Sequence, residues 1–254
     1  GAYLRTGFLT PAFVGLYARA FAEEEVSIGE EIIVGWDPRD RMGDFTEAIV
    51  DGILQAGCRP VVLGTVPTPA VSLLMIHRGA NAGIMVTASH NPEGQNGLKL
   101  FLGPLATKLY PADEERLTQK IYNRSEGLSR SPFEGEPLFL ESETREAFIN
   151  YSCDPFNSWL PKPTPDGPLS KLLLVVDAAG GSMAGLASDV FRRLGVGEVM
   201  EVNGSDARIN EDGGVVELEQ VNWVDGYGRG DTGQDLTRHA GVGALLKVAD
   251  RFHP

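Results

Sequence analysis

Residues 83–101 read Gly-Ile-Met-Val-Thr-Ala-Ser-His-Asn-Pro-Glu-Gly-Gln-Asn-Gly-Leu-Lys-Leu-Phe and join a short apolar run to a cluster of polar and turn-forming residues. The apolar residues 84–86 predict one buried strand. A hydroxyl, an imidazole and an amide follow together at Ser89, His90 and Asn91. Because ligands of open α/β sheets bind beyond the carboxyl ends of the strands, this turn is a candidate site for chemistry.

A second short strand is predicted at residues 98–101, just after the turn. Lys99 is its one charged residue, and the alternation of side chains along a strand predicts that it points away from the apolar side. An ammonium group at this place can act as a point charge for an anion or, with a lowered pKa, as a base.

Thr-Ala-Ser-His-Asn-Pro at 87–92 and Asn-Gly-Leu-Lys at 96–99 resemble the active-serine loop of the α-D-phosphohexomutases, the phosphoglucomutase and phosphomannomutase family. The resemblance implies that Ser89 carries a phosphoryl group and that Lys99 moves the proton of the attacking sugar hydroxyl. It implies that His90 holds the phosphoserine and Asn91 binds phosphate or substrate. Such transfer requires positioning and cationic groups more than covalent chemistry. An ordinary polar loop closed by Asn-Pro is the structural alternative.

Two further stretches resemble the same family. Ala-Tyr-Leu-Arg at residues 2–5 is similar to its Ala-Tyr-Asp-Ile-Arg-Gly signature, although the aspartate and the final glycine are missing. The resemblance implies that Arg5 holds the phosphoserine, and a frayed chain end is the alternative. Gly-Trp-Asp-Pro-Arg at residues 35–39 is similar to the Gly-x-Asp-x-Arg turn, which implies that Arg39 binds phosphate. A surface turn would look much the same.

Strand and helix patterns alternate through the first half of the chain. Thr10 and Pro11 predict a helix start, with a capping hydroxyl and a proline in the first turn. The apolar stripe of this helix comprises Phe13, Leu16, Tyr17, Ala20 and Phe21. Further helices are predicted at residues 45–57, 70–78, 111–123 and 143–151, and further strands at residues 32–34 and 60–64. This order predicts right-handed crossovers and a largely parallel sheet with helices on both faces.

Five prolines within residues 154–170 predict a linker. We therefore predict a first domain at residues 1–153, which carries the serine loop, and a partial second domain at residues 171–254. The predicted fold class is α/β, with two α/β/α sandwich domains built on mainly parallel mixed sheets. The resemblance implies a partial version of a four-domain mutase.

The second domain opens with an apolar run at residues 172–177, which predicts a strongly buried strand. A glycine-containing turn, a helix to Leu194 and a strand at residues 196–202 complete a βαβ unit. Gly-Gly-Ser-Met-Ala at residues 180–184 is close to a nucleophile elbow, so a hydrolase that uses Ser182 is one alternative. However, Ala184 replaces the last glycine of that motif, and the sequence assigns no histidine or acid as a partner.

The family's second domain binds Mg²⁺ through an Asp-Gly-Asp-Gly-Asp-Arg loop together with a phosphoserine oxygen, so the resemblance implies Ser89 and Asp225 as metal ligands. Such oxygen ligands suit a hard cation that bridges a phosphate. Tyr227 and Arg229 stand where the other two carboxylates belong. Three explanations are open: a relative that has lost its metal, an intact loop whose remainder is absent from this sequence, and a chance similarity.

The composition of the chain indicates the class of protein to which it belongs. The chain has 254 residues, of which 42% are hydrophobic and 22% charged, values typical of a soluble globular protein. It shows no apolar run that would span a bilayer and no signal-peptide pattern at its start. Two widely separated cysteines, Cys58 and Cys153, are consistent with a reducing compartment, so the predicted location is the cytoplasm.

A formal net charge of −13 makes nucleic acid and anionic membranes poor partners. A hexose phosphate would need a locally basic pocket, for which Arg39, Arg41 and Lys99 are candidates.

The resemblance therefore implies a phosphoglucomutase/phosphomannomutase-type enzyme that exchanges phosphate between the 1- and 6-positions of a hexose. A glucose 1,6-bisphosphate-type sugar would be the intermediate, and Mg²⁺ the cofactor. The alternative function is a non-catalytic relative that binds a sugar phosphate or a partner protein.

Overall fold

The computed structural model describes residues 9–91, 93–123, 129–154 and 166–210. The chain divides into two compact units, one formed by Gly1–Ala88 with Gly94–Phe148 and the other by Ser89–Glu93 with Ile149–Pro254. The segment that contains Ser89 therefore packs with the second unit. The domain limits at residues 153 and 171 stay a prediction, and residues 155–165 of the predicted linker lie outside the described residues.

Helices and strands alternate along the described part of the chain as the sequence patterns predict. The elements are α1 (Pro11–Glu25), β1 (Glu31–Trp36), α2 (Asp44–Gln55), β2 (Arg59–Thr65), α3 (Thr68–Arg78), β3 (Ala82–Val86), β4 (Leu98–Leu102), β5 (Thr107–Lys108), α4 (Pro111–Tyr122), β6 (Leu138–Phe139), α5 (Glu141–Cys153), β7 (Leu173–Asp177), α6 (Leu186–Arg193) and β8 (Glu198–Val202). The short strands β5 and β6 were not predicted.

In the described residues, the first unit contains a six-stranded sheet with the order β5-β4-β3-β1-β2-β6. Strand β1 lies at its centre and pairs in parallel with β2 and β3, while β4 runs antiparallel to β3. Carboxyl ends of β1 and β3 therefore meet at one edge of the sheet, with Trp36 opposite Val86. This edge is where the sequence places Asp37 and the serine turn.

Apolar residues cover both faces of this sheet, which explains the near-continuous hydrophobic runs of its strands. On one face Ile32, Val34 and Ile84 pack with α1, α2 and α4. On the other face Ile33 and Met85 pack with α3 and the first part of α5. The α/β fold with a mainly parallel mixed sheet is thus confirmed.

The start of α1 is confirmed, because the Thr10 hydroxyl accepts a hydrogen bond from the Phe13 amide at 3.2 Å. Its predicted buried stripe is partly wrong, since Leu16 is 58% exposed. The fully buried positions Val14, Ala18 and Phe21 define a rotated face. These residues share one core cluster with α2, α4 and the sheet, and the apolar periodicity of a helix does not identify the neighbours it will meet.

The second unit contains the predicted βαβ arrangement, with β7 and β8 parallel on either side of α6 in the chain. The prediction that β7 is strongly buried is wrong. Leu173 is 36% exposed and the rest of the strand is half-buried. In the part of the chain that the structure describes, β7 pairs with β8 alone, so its side chains have less cover than those of β1.

The described residues include no helix long and apolar enough to cross a membrane.

Helices α1 and α2 approach each other through glycines. A Cβ atom at Gly52 would lie 2.2 Å from the Gly15 carbonyl oxygen, and one at Gly15 would lie 2.7 Å from the Ala48 carbonyl oxygen. Because both obstacles are backbone atoms, a side chain at either position requires a helix to move.

We therefore expect Gly52→Ala to lower the free energy of unfolding by roughly 1–3 kcal/mol through overpacking, although alanine is the better helix former. Asp51→Ala is the matched control, since Asp51 is the exposed neighbour on the same helix. Urea denaturation followed by circular dichroism measures both variants. A Gly52→Ala protein as stable as the Asp51→Ala protein would contradict the close approach.

Candidate functional site

A buried polar cluster occupies the edge where β1 and β3 end. The Asp37 amide donates to the Val86 carbonyl oxygen at 3.0 Å, so the backbone just beyond β1 is tied to the end of β3. The Thr87 amide donates to the Gly97 carbonyl oxygen at 2.9 Å, which ties the end of β3 to the segment before β4. Asp37 and Thr87 thus lie side by side at this edge of the sheet, each one residue beyond the end of its strand.

The Asp37 carboxylate is the centre of this cluster. Asp37 is 4% exposed, and its Oδ2 accepts a hydrogen bond from the Thr87 hydroxyl at 2.5 Å. Its Oδ1 accepts from the Arg39 amide at 3.0 Å, and the Arg39 guanidinium forms an ion pair with Oδ2. A buried charge is tolerated when it is paired and hydrogen-bonded in this way.

Arg39 lies in a single turn of 3₁₀ helix, Pro38–Asp40. Its side chain is 1% exposed, so the guanidinium is enclosed in the cluster and paired with Asp37. Asp40 fixes the other end of the turn, where its carboxylate accepts from the amide and hydroxyl of Thr46 at 2.8 and 2.5 Å. The role of Arg39 in phosphate binding stays a prediction.

Lys99 lies on β4 opposite Met85. The expectation that it points away from the apolar side is only half right. Leu98 and Leu100 pack on the other face of the sheet, but Phe101 lies on the Lys99 face and is buried. Lys99 is consequently half-buried. This placement brings its ammonium into the electrostatic reach of the Asp37 cluster.

Burial lowers the pKa of Lys99 below the ordinary lysine value, and the positive charges of Lys108 and Arg39 lower the pKa further, while the Asp37 carboxylate raises it. The amine is therefore neutral in a larger fraction of molecules than that of an exposed lysine. A neutral amine can accept a proton and then return it, as an acid/base group must.

Ser89 and His90 are exposed, and Asn91 is half-buried. Ser89 adopts a left-handed backbone conformation with φ of 59°. This conformation is costly for a residue with a side chain and persists only where neighbouring contacts hold it. Ser89 is thus an exposed residue on a constrained backbone.

Sequence reasoning did not single out Asn96 as a site residue. Its Oδ1 accepts from the Gly97 amide at 2.9 Å, and its Nδ2 is buried without a hydrogen-bond partner among the described residues. The Asn-Gly pair at residues 96–97 is a turn signal, which could have marked the turn but not the orphaned donor.

Arg5 and Asp225 lie outside the described residues, so their roles stay predictions. Within residues 9–91, 93–123, 129–154 and 166–210 no three His, Cys, Asp or Glu side chains lie together as a metal site. Ser89 is thus the one predicted metal ligand whose position is described.

The rival serine, Ser182, is half-buried in the turn between β7 and α6. A nucleophile elbow places its serine on a strained turn. Here the positive φ angles fall on Ala179, Gly180 and Gly185, and Ser182 does not share them. The geometry favours an ordinary βα turn.

The sequence of this chain is similar to those of known phosphohexomutases. Residues 3–127 match the family model described as phosphoglucomutase/phosphomannomutase, alpha/beta/alpha domain I. A phosphoglucosamine mutase from Hyphomonas neptunium is 44% identical over 166 residues, which are 65% of this chain and 34% of that protein. A phosphoglucosamine mutase from Deinococcus radiodurans is 32% identical over 229 residues, 89% of this chain and 49% of that protein.

Two solved structures are also similar to this chain. A phosphoglucomutase/phosphomannomutase family protein from Burkholderia thailandensis covers 78% of this chain with a TM-score of 0.56 and 25% identity, over 41% of its own length. A second structure, from Thermus thermophilus, matches 85% of this chain over 47% of its own length. Its TM-score of 0.66 at 23% identity shows that the two proteins share a fold. The chain spans about half or less of the length of these relatives. Together with the serine-loop motif on an exposed turn beyond β3, these matches show that the chain belongs to the α-D-phosphohexomutase family.

Proposed function

We propose that this chain is the phosphoserine-bearing part of an enzyme that moves phosphate between the 1- and 6-positions of a hexose. The observation that supports it best is that Ser89 is an exposed residue with a left-handed backbone, in the turn beyond β3 that carries the family's motif. A buried serine could not exchange phosphate with a sugar.

In the proposed step, a sugar hydroxyl attacks the phosphorus atom of phosphorylated Ser89. The new bond joins phosphorus to the sugar oxygen, and the bond between phosphorus and the serine oxygen breaks. The sugar becomes a 1,6-bisphosphate, its hydroxyl proton passes to a base, and the serine oxygen takes up a proton. Reversal with the other phosphate of the sugar restores phosphoserine, so that the atoms balance over the cycle.

Lys99 is the proposed base for the sugar hydroxyl. Its lowered pKa supports this role, because a neutral amine can take the proton in one half-reaction and return it in the other. Asp37 opposes the shift in the Lys99 pKa, because its negative charge favours the ammonium form to which the amine returns after it takes the proton. Thr87 and Arg39 fix the Asp37 carboxylate that performs this task.

The remaining predicted residues keep the roles that the family resemblance gives them. His90 and Arg5 would hold the phosphoserine, and Asn91 and Arg39 would bind phosphate. Mg²⁺ would lie against an oxygen of phosphorylated Ser89, with Asp225 as a second ligand, and would neutralise charge on the transferred group. The described residues contain no carboxylate cluster that fits the ion, so no step is assigned to it.

The proposed substrate class is a hexose phosphate. The names of the relatives make glucosamine phosphate a sugar to assay beside glucose and mannose phosphates. The second candidate function is a non-catalytic sugar-phosphate or partner binder. Its support is Tyr227 and Arg229, which replace two family carboxylates in the sequence.

Ser89→Ala in the complete gene product is expected to lower mutase activity on its hexose phosphate at least about 10³-fold, because the phosphoryl carrier is lost. Ser182→Ala is the matched control, a serine in the other strand-to-helix turn, and should retain activity within about twofold. A coupled assay of sugar phosphate isomerisation measures both variants. Equal activity of the two would exclude phosphoserine chemistry, and loss in Ser182→Ala alone would revive the hydrolase hypothesis.

Lys99 should titrate below the ordinary lysine pKa, and Asp37→Asn should lower its pKa further, because the Asp37 carboxylate is the negative charge that favours the ammonium form. Asp40→Asn is the matched control, another buried aspartate of the same turn that does not act on Lys99. NMR of ¹³C-labelled lysine, assigned with a Lys99→Arg variant, follows the titration. A Lys99 pKa at or above the usual value would contradict the proposed base.

A further inference from the structure

A hydrogen bond holds the serine segment, Ser89–Glu93, to the end of the described second unit. The Asn210 side-chain Nδ2 donates to the Asn91 carbonyl oxygen at 3.0 Å, across 119 positions of sequence. Both residues belong to the second unit and both are half-buried. An amide donor in this setting is directional, and a partly enclosed bond is better protected from water than one on an open surface.

A second contact lies beside the first but is weak. The Arg208 guanidinium Nε is 3.9 Å from a carboxylate oxygen of Glu93, and the two side chains are 68% and 39% exposed. An ion pair that is this long and this exposed contributes little. Of these two contacts, the Asn210 amide is therefore the one expected to position the segment.

The backbone of Asn210 is itself fixed. Its amide donates to the Ala179 carbonyl oxygen at 2.8 Å, and its φ of 56° is left-handed, a conformation that asparagine tolerates better than most residues. Ala179 belongs to the turn that follows β7. The donor side chain thus starts from a backbone that is tied to the end of a strand.

Gly180 brings this turn and the Asn210 segment together. A Cβ atom at Gly180 would lie 2.6 Å from the backbone carbonyl of Arg208 and 2.7 Å from that of Ala207. The Gly180 amide also donates to the Asn203 carbonyl oxygen at 2.7 Å. Such a close approach of two backbones leaves the Asn210 segment little freedom to shift.

From these contacts we propose that Asn210 is a positioning residue for the phosphoryl-carrying serine: its side-chain amide fixes the backbone of the serine segment two residues beyond Ser89. Ser89 needs such support, because its left-handed backbone is disfavoured in a free chain. The role of Ser89 rests on the proposed function, whereas the attachment itself does not.

The test compares Asn210→Gly with Asn203→Gly. Glycine accepts the left-handed conformation at both positions, so each variant loses a side-chain amide without backbone strain. Asn203 is the matched control: its φ is 47°, and its Nδ2 donates at 3.1 Å to the carboxylate of Asp177, the last residue of β7.

Hydrogen–deuterium exchange read by mass spectrometry is expected to show about fivefold faster exchange in peptides that contain residues 89–93 of Asn210→Gly, as for the loss of one hydrogen bond, and less than twofold in Asn203→Gly. Unchanged exchange in Asn210→Gly, or the same acceleration in both variants, would overturn the proposal. Asn210→Asp, which keeps the size of the side chain and loses the donor, should behave like Asn210→Gly and serves if the glycine variant fails to fold.

Kinetics of the complete gene product give a second readout. A positioning role predicts a kcat at least fivefold lower for Asn210→Gly with KM within about twofold, and Asn203→Gly near wild type in both. An unchanged kcat would count against the role. If no variant carries or exchanges phosphate at Ser89, the proposed function fails while the exchange measurement still decides the attachment.

Discussion

One buried carboxylate, that of Asp37, holds together the edge of the sheet at which the candidate site lies. It receives the Thr87 hydroxyl from the end of β3 and the guanidinium of Arg39 from the turn after β1. Removal of the Arg39 guanidinium would leave this buried carboxylate without its ion-pair partner, which is far more costly than the loss of an exposed ion pair. The same negative charge raises the pKa of Lys99, so the packing of the edge and the proposed acid/base chemistry share one group.

Local sequence patterns predicted most of the first unit. The strands around β1 are apolar runs bounded by turns, and Thr10 and Pro11 begin α1 where a capping hydroxyl is expected. The position of Ser89 at the end of a buried strand followed from the same reasoning, and its exposure agrees with it. These features are encoded within about ten residues of chain, which is the range over which periodicity and turn chemistry act.

Tertiary packing determines the exposure and contacts of several residues that local sequence patterns did not predict. Leu16 is exposed because α2 meets a neighbouring face of α1, and Lys99 is half-buried because Phe101 shares its side of β4. The resemblance implied a phosphate-binding role for Arg39, which stays a prediction, but it did not indicate the ion pair that encloses Arg39 with Asp37. The hydrogen bond between Asn210 and Asn91 joins residues 119 positions apart, and local sequence patterns do not predict such a contact.

The proposed chemistry requires that phosphate resides covalently on Ser89. Peptide mapping by mass spectrometry of the complete gene product, before and after incubation with a hexose 1,6-bisphosphate, tests this most directly. We expect phosphate on the peptide that contains Ser89, a higher occupancy after incubation, and its removal by excess hexose monophosphate. A Ser89 peptide that stays unmodified both before and after incubation with the bisphosphate would contradict the phosphoserine mechanism and favour the non-catalytic relative.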